Sequence, residues 1–317
     1  MEPFLYLAPM RGYTNALYRN VFTKHFKGFD AAISPFIPTV TGKTIGSSHL
    51  RDISPENNHA MPIIPQIMGN DPDDFIRMAR KCHDLGYKTV NWNLGCPFPM
   101  VAKKKRGSGL LPHPNRIDAF LDRVIPRIPN RLSIKTRIGR KTKEEIFNLI
   151  PIFNTYPLSE IIIHPRTGIQ MYDGAIDHGS FAKCLDLLNS PVVYNGDIFD
   201  VDTFQALKSR YTSVKRWIIG RGALIDPFLP WQIKSGDADT AFRIEAFKRF
   251  HDDLFVAYRD DMHGPGHLID KMKGYWQYFS RFFQDPGHVF KQIKKLKSVD
   301  RYQAVVNQLF SQEVSKS

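Results

Sequence analysis

Eight short runs rich in β-branched and aliphatic residues recur through the first 220 residues, and helical periodicity fills the gaps between them. The runs fall at 5–10, 31–34, 63–68, 89–94, 133–137, 160–164, 192–195 and 217–220. Asn70-Asp71-Pro72 reads as a cap with proline in the first turn, opening a helix that closes near Leu85-Gly86. Helical spacing also marks 114–124, 143–153, 181–188 and 201–209. Strands that alternate with helices pair in parallel, because a parallel connection is long enough to need a helix. Eight such units in about 235 residues match an α/β fold of the (β/α)8, or TIM barrel, type. A doubly wound open sheet shares the alternation, so closure has to be argued from what stands at the strand ends.

The pattern changes near Gly236. Phe247, Phe250, Leu254 and Tyr258 make one apolar stripe at helical spacing, and Met272, Tyr275, Trp276, Phe279 and Phe283 make another. Helices are expected over 241–258, 268–283, 289–296 and 301–309, with no strand signal among them. The expected division is a barrel over 1–235 and a small all-helical domain over 236–317. Its aromatic stripes read as core rather than as a base-stacking surface.

Forty-four Lys and Arg oppose 31 Asp and Glu, a net charge of +13. Such a balance suits a polyanionic partner, nucleic acid or an anionic membrane. Twelve basic and two acidic residues fall within 100–142, placing +10 in 43 residues, whereas 240–317 carries 13 basic and 9 acidic, only +4. No apolar run approaches the ~18 residues of a membrane span. The opening MEPFLYLAPMRG lacks the marks of a secretion signal. Cys82, Cys96 and Cys184 are too few for a disulfide framework and contain no CxxC pair. A cytoplasmic monomer without a metal is expected.

Barrel chemistry gathers at the carboxyl ends of the strands. Those positions carry Ala8-Pro9-Met10, Gln66, Asn93 to Cys96, Lys135 and Arg137, His164 and Arg166, Asn195-Gly196-Asp197, and Gly220-Arg221-Gly222. The last two groups follow the seventh and eighth strands, where barrels commonly bind phosphate. Glycine lets backbone N–H groups approach the oxygens, and Arg221 adds a bidentate cation. Plain turn glycines would explain Gly-Arg-Gly on its own; the place after strand eight is what favours a phosphate. Cys82 and Cys184 fall in predicted helices, where a thiol packs as a small hydrophobe. Cys96 lies in a loop between Gly95 and Pro97. As a thiol it could donate a proton, and beside Lys or Arg it could act as a thiolate nucleophile. Residue chemistry leaves that choice open. Lys135 and His164 each also fit a structural role, a paired lysine and a hydrogen-bonded histidine.

With those residues in view, the sequence resembles the tRNA-dihydrouridine synthase family over nearly its whole length. The similar segments are LAPMRGYT at 7–14, PQIMG at 65–69, NLGCP at 93–97, GSGLL at 107–111, IKTRIG at 134–139, HPRTGIQMYDG at 164–174, NGDI at 195–198 and IGRGAL at 219–224. LIDKMKGYWQYF at 268–279 resembles the family's helical RNA-binding domain, and the tail is most similar to the bacterial D-loop-modifying branch. The resemblance implies a barrel that binds FMN, uses NADPH as reductant and reduces specific uridines of tRNA to 5,6-dihydrouridine. It implies that Ala8, Pro9 and Met10 lie against the flavin, with Gln66 on its polar edge. Lys135 and His164 would hold it and stabilise negative charge, and Asn195, Gly196, Asp197, Gly220 and Arg221 would bind its ribityl phosphate end. Asn93 and Arg137 would contact the target nucleotide, and Arg166 an RNA phosphate. Lys103, Lys104, Lys105 and Lys273 would meet the RNA backbone. Cys96 matches the catalytic acid that protonates C5 while the flavin delivers hydride to C6. The target uridine would have to leave its stack to enter.

Three places depart from the family pattern, one being KKKRGSG at 103–109, more basic than usual. Pro165 follows the motif histidine where glycine is common, and is expected to stiffen that loop. ISPF at 33–36 stands where an acidic residue is common. A flavin barrel reducing a small enoate or pyrimidine would leave the +10 segment and the helical domain without a purpose. The same uridine chemistry on rRNA fits the residues equally well. A non-catalytic RNA-binding barrel would have no use for Cys96, Lys135 and His164 together.

Overall fold

The computed structural model describes residues 2–42, 44–236, 243–262 and 264–314. Ten strands form one sheet: β1 (Phe4–Leu7), β2 (Ala31–Ile33), β3 (Ile37–Pro38), β4 (Ile63–Ile64), β5 (Gln66–Met68), β6 (Thr89–Leu94), β7 (Arg131–Gly139), β8 (Ile161–Thr167), β9 (Val192–Asn195) and β10 (Arg216–Ile219). Every pairing is parallel. The order is β3-β5-β6-β7-β8-β9-β10-β1-β2-β4. Its two ends belong together, because β2 and β3 are halves of one run, as are β4 and β5. The ten segments therefore occupy eight strand positions, and the sheet curls into a barrel.

Proline explains both breaks. Pro35 and Pro65 offer no N–H to a ladder: the run expected at 31–34 is seen as β2 and stops before Pro35, and the run expected at 63–68 is split at Pro65 into β4 and β5. The gap at Pro65 is bridged locally. Ser34 N–H donates to the Ile64 carbonyl at 3.0 Å, Asn91 N–H to the Pro65 carbonyl at 2.8 Å, and Gln66 N–H to the Ser34 hydroxyl at 3.1 Å. The ISPF departure is thus the place where the second strand is interrupted. Pro165 lies inside β8 rather than in the loop after it. There the β7–β8 register slips between Arg137 and Gly139, a bulge that accommodates the missing donor. The first strand ends at Leu7, short of the expected Met10, and leaves Ala8-Pro9-Met10 as a rim segment.

Strand alternation sorts the residues into two environments. Trp92 faces outward and stacks on Phe120, with ring centroids 3.9 Å apart. Asn91 and Asn93 face inward, as do Ser133, Lys135 and Arg137. Inside the barrel, Tyr6, Ala8, Ala31, Ile33, Ile162, Val193 and Ile218 fill one side with hydrocarbon. The β5–β7 side is polar, with Gln66, Asn91 and Ser133 hydrogen-bonded to one another.

Beyond Gly236 the chain is helical: Arg243–Asp261, Pro265–Phe279, Pro286–Lys294 and Val299–Val314. Ala241, the expected start of the first of these, lies outside the described residues. Both aromatic stripes are buried, as core. Phe250 packs among Tyr18, Phe22 and Phe26 of the Ala16–His25 helix, and Tyr18 stacks on Tyr275 at 5.7 Å. The helical region is therefore fixed to the barrel's first helix by hydrocarbon. Among the described residues, no helix is long and apolar enough to cross a membrane, and no three His, Cys, Asp or Glu cluster as a metal site would need.

Candidate active site

A cavity of about 480 Å³ opens at the carboxyl ends of the strands, within the range of ligand sites. Ala8, Pro9, Met10, Asn93, Cys96, Lys135, Arg137, His164, Asn195, Gly196, Asp197, Gly220 and Arg221 all line it. Thirteen of the residues singled out from the strand ends are thus brought to one cavity. Gln66 lies behind it, fully buried, donating to Asn91 and accepting from the Asn93 amide at 2.7 Å. Arg166 is also behind the wall, where it supports Asp197. Lys103, Lys104 and Lys105 are exposed on the loop that follows Cys96, outside the cavity. Lys273 pairs at 3.5 Å with Asp270 on the same helix, also outside the cavity.

The loop after β6 is built to present one thiol. The Asn93 carboxamide oxygen accepts from the N–H groups of Gly95 at 3.1 Å and Cys96 at 2.9 Å, turning the chain as the strand ends. Ser108 returns to donate both its N–H and its hydroxyl to the Cys96 carbonyl, each at 3.0 Å. Gly107 has φ +55, and a Cβ there would stand 2.8 Å from that of Cys96. Glycine is required on both counts. GSGLL is therefore the clamp of the NLGCP loop.

Cys96 is 7% exposed. Burial pushes its thiol up, outweighing a hydrogen bond from the Phe98 backbone and the charges of Arg11, Arg137 and Lys135. At neutral pH it carries its proton. Should the proton leave, those three cations surround the resulting thiolate.

Lys135 donates from Nζ to the Asn195 side-chain oxygen at 2.6 Å. Burial, then Arg137, bring its ammonium down to about 7. His164 is held neutral by burial and by the charges of Arg137, Lys135, Arg166 and Arg221. Arg166 lies 3.3 Å from its Nε2. Because a guanidinium only donates, Nε2 accepts and the ring proton resides on Nδ1. Asp197 has φ +36 and is gripped by Arg166 and Arg221. Burial alone would raise its carboxyl, but those hydrogen bonds and charges hold it below the usual range.

Arg11, Lys135, Arg137, Arg221 and Arg281 line the cavity against one carboxylate, Asp197. That surplus calls for an anion. The guanidiniums are kept apart by rings. Arg137 and Arg221 flank Tyr172 at 5.3 and 5.2 Å, and Arg221 and Arg281 flank Phe199 at 5.3 and 5.7 Å. Stacking on a ring face leaves the in-plane N–H donors free to point elsewhere. Gly196 and Gly220 leave a cradle: a Cβ would meet Ile176 at 2.8 Å and the Met10 sulfur at 3.2 Å, respectively.

Sequence reasoning missed Arg11, Tyr13, Phe36, Tyr172 and Phe199 as lining residues, and also Gln277, Tyr278 and Arg281. Arg11, Tyr13, Tyr172, Gln277 and Tyr278 fall within motifs already quoted, so proximity along the chain could have found them. Gln277, Tyr278 and Arg281 come from the helical region, which therefore completes the cavity wall. Nothing in their spacing signals that.

A model of the family described as dihydrouridine synthase matches residues 6–315. A tRNA-dihydrouridine(16) synthase of Neisseria meningitidis serogroup A is 24% identical over 98% of this chain and 95% of its own length. The serogroup B protein of the same name is 28% identical over 72% of this chain and 70% of its own. A probable tRNA-dihydrouridine synthase of Helicobacter pylori is 30% identical over 74% of this chain and 71% of its own. Among solved structures, the old yellow enzyme homologue of Zymomonas mobilis superposes with a TM-score of 0.53 at 14% identity, covering 77% of this chain and 91% of that one. Histamine dehydrogenase from Rhizobium sp. 4-9 gives 0.57 at 12% identity, over 99% of this chain and 62% of that one. These likenesses establish the barrel fold.

Proposed function

This chain belongs to the dihydrouridine synthase family, and on that premise we propose that it reduces uridine in tRNA to 5,6-dihydrouridine, with FMN as prosthetic group and NADPH as reductant. The observation that carries the reading is Cys96: a buried thiol, kept protonated, on the wall of a cation-rich cavity that also holds Lys135 and a neutral His164.

The lining fits a flavin mononucleotide. The Gly196 and Gly220 cradle leaves room for it beside the rim segment Ala8-Pro9-Met10, and the surplus of arginine suits a phosphate. Arg221, with Asn195, Gly196, Asp197 and Gly220, would hold the phosphate end. Lys135 and His164 would face the ring's polar edge. Gln66 would act through Asn93, to which it is bonded, rather than by direct contact. FMN held there and reduced by NADPH would supply the hydride for C6, the C5 proton coming from the protein.

The protein's own groups handle the proton. Cys96 donates from Sγ to C5 of the pyrimidine, and Arg11, Arg137 and Lys135 offset the charge left on sulfur. Asn93 and Arg137 orient the target base. Arg137 is itself locked by donating to the Gly95 carbonyl at 3.1 Å and the Thr167 carbonyl at 2.8 Å. A free thiol suits a reducing cytoplasm, and the chain is assigned to act there as a monomer. The barrel, 1–235, takes the flavin. The helical region, 236–317, takes the RNA with Lys273, joined by Lys103, Lys104, Lys105 and Arg166 from the barrel.

The cofactor assignment is tested by the purified protein itself. It should be yellow, release FMN on denaturation, and bleach when NADPH is added without oxygen. A colourless protein that takes up no FMN would overturn it.

A further inference from the structure

Seven large hydrophobic side chains are exposed among the described residues, and four of them cluster. Phe98 is 46% exposed, Met100 82%, Ile169 60% and Tyr172 44%, whereas Leu187, Trp231 and Val256 are scattered. Single exposed hydrophobics need no explanation, but a cluster marks a contact surface. Phe98 and Met100 follow Cys96 at the start of the short helix Pro99–Ala102, and Ile169 and Tyr172 stand on the loop after β8. Arg140 joins the two, donating to the Pro97 carbonyl at 2.8 Å and accepting from Ile169 N–H at 3.0 Å. Phe98 and Tyr172 line the cavity; Met100, two residues beyond Phe98, and Ile169, three before Tyr172, stand exposed outside it, Ile169 beside a separate surface hollow. Cations follow on adjoining segments: Lys103 to Arg106 after Met100, and Arg140 and Lys141 after β7, whereas Lys143 is paired with Asp177 at 3.1 Å.

We propose that Phe98, Met100 and Ile169 form a platform that receives the unpaired bases flanking the target uridine. The proposal rests on the reading of the cavity as a uridine site. Taking one nucleotide out of a folded RNA exposes the faces of its neighbours, which then need apolar partners. The surrounding cations suit the phosphates that carry those bases. A protein partner of ordinary composition has no need of such a basic border. Apolar contacts to base faces release no counterions, whereas phosphate contacts do and weaken as salt rises. The two kinds of contact can therefore be separated on one surface.

The test is tRNA binding by the full flavin-loaded protein, with an unmodified transcript and a titration from low to high salt. Met100→Ser and Ile169→Ser should each weaken binding about tenfold through lost apolar burial, at every salt concentration, leaving the slope of log affinity against log salt unchanged. Met100→Phe should restore wild-type affinity, which a purely structural lesion would not do. Lys104→Gln should instead flatten the slope by about 0.7 to 0.9. Wild-type affinity in both serine variants would overturn the platform. So would an equal loss against a transcript whose target loop is closed into a duplex. A concentration-dependent dimer in the wild type that Met100→Ser abolishes would assign the surface to a second copy of the chain instead. Failure of the uridine reading looks different: tight, platform-dependent tRNA binding with no dihydrouridine formed.

Discussion

Lys135 occupies a place that repels its own proton. Burial and Arg137 lower its ammonium to about 7, whereas in the unfolded chain lysine stays charged to ~10.4. Between those values unfolding takes up a proton, so stability of the flavin-free protein rises with pH across the window. The rise is at most about 1.4 kcal/mol per unit. Below pH 6.5 His164, neutral when folded, adds a dependence of the same sign. Thermal melting from pH 7 to 9 should show the increase in wild type and a flatter profile in Lys135→Met. Parallel profiles would mean that Lys135 is charged in the folded protein. An anionic ligand beside it should pull its ammonium back up and reduce the effect, so FMN-loaded protein is expected to melt with less dependence on pH.

Gly107 shows how an element serves a residue it does not adjoin in sequence. Gly107→Ala would force a positive φ on alanine and press a methyl against Cys96. Turnover is expected to fall about 100-fold through displacement of the thiol, with flavin content unchanged. Wild-type turnover in that variant would mean that the clamp does not position Cys96. At this scale much of the architecture was readable in advance. The runs at 89–94 and 192–195 and the helix at 114–124 coincide with the observed elements. The run through Pro65 did not, because hydropathy registers an apolar segment but not a missing ladder donor, and the short strand Ile37–Pro38 beyond Pro35 was not expected. Strand ends located thirteen cavity residues, since period-2 alternation and barrel polarity fix where such side chains point. Gln66 obeys the same alternation yet stops one layer short, because Asn93 above it takes the rim position.

For the molecule as a whole, the helical region matters twice. Its Phe250 wedges among Tyr18, Phe22 and Phe26, and Phe250→Ala should cost about 3 to 5 kcal/mol, read as a lowered melting temperature. It also brings Gln277, Tyr278 and Arg281 to the cavity. Helical periodicity told which face of these helices is core. It could not tell that their polar edge closes a barrel, because that depends on docking between segments distant in sequence. Among the described residues Arg281 makes no ion pair or hydrogen bond; its contact is the Phe199 ring. Arg281→Gln is expected to raise the KM for tRNA several-fold with kcat and flavin content unchanged. A lowered flavin content would assign its guanidinium to the cofactor's phosphate instead.

The central claim is tested most directly by mass spectrometry of tRNA. Unmodified transcript, NADPH and flavin-loaded protein are incubated together, and dihydrouridine is counted per molecule. Wild type should form it, and Cys96→Ala, equally yellow and equally able to bind the RNA, should lose at least about 100-fold in rate. Equal rates in the two proteins would remove Cys96 as the proton donor. No dihydrouridine from the wild type would contradict the account at its root.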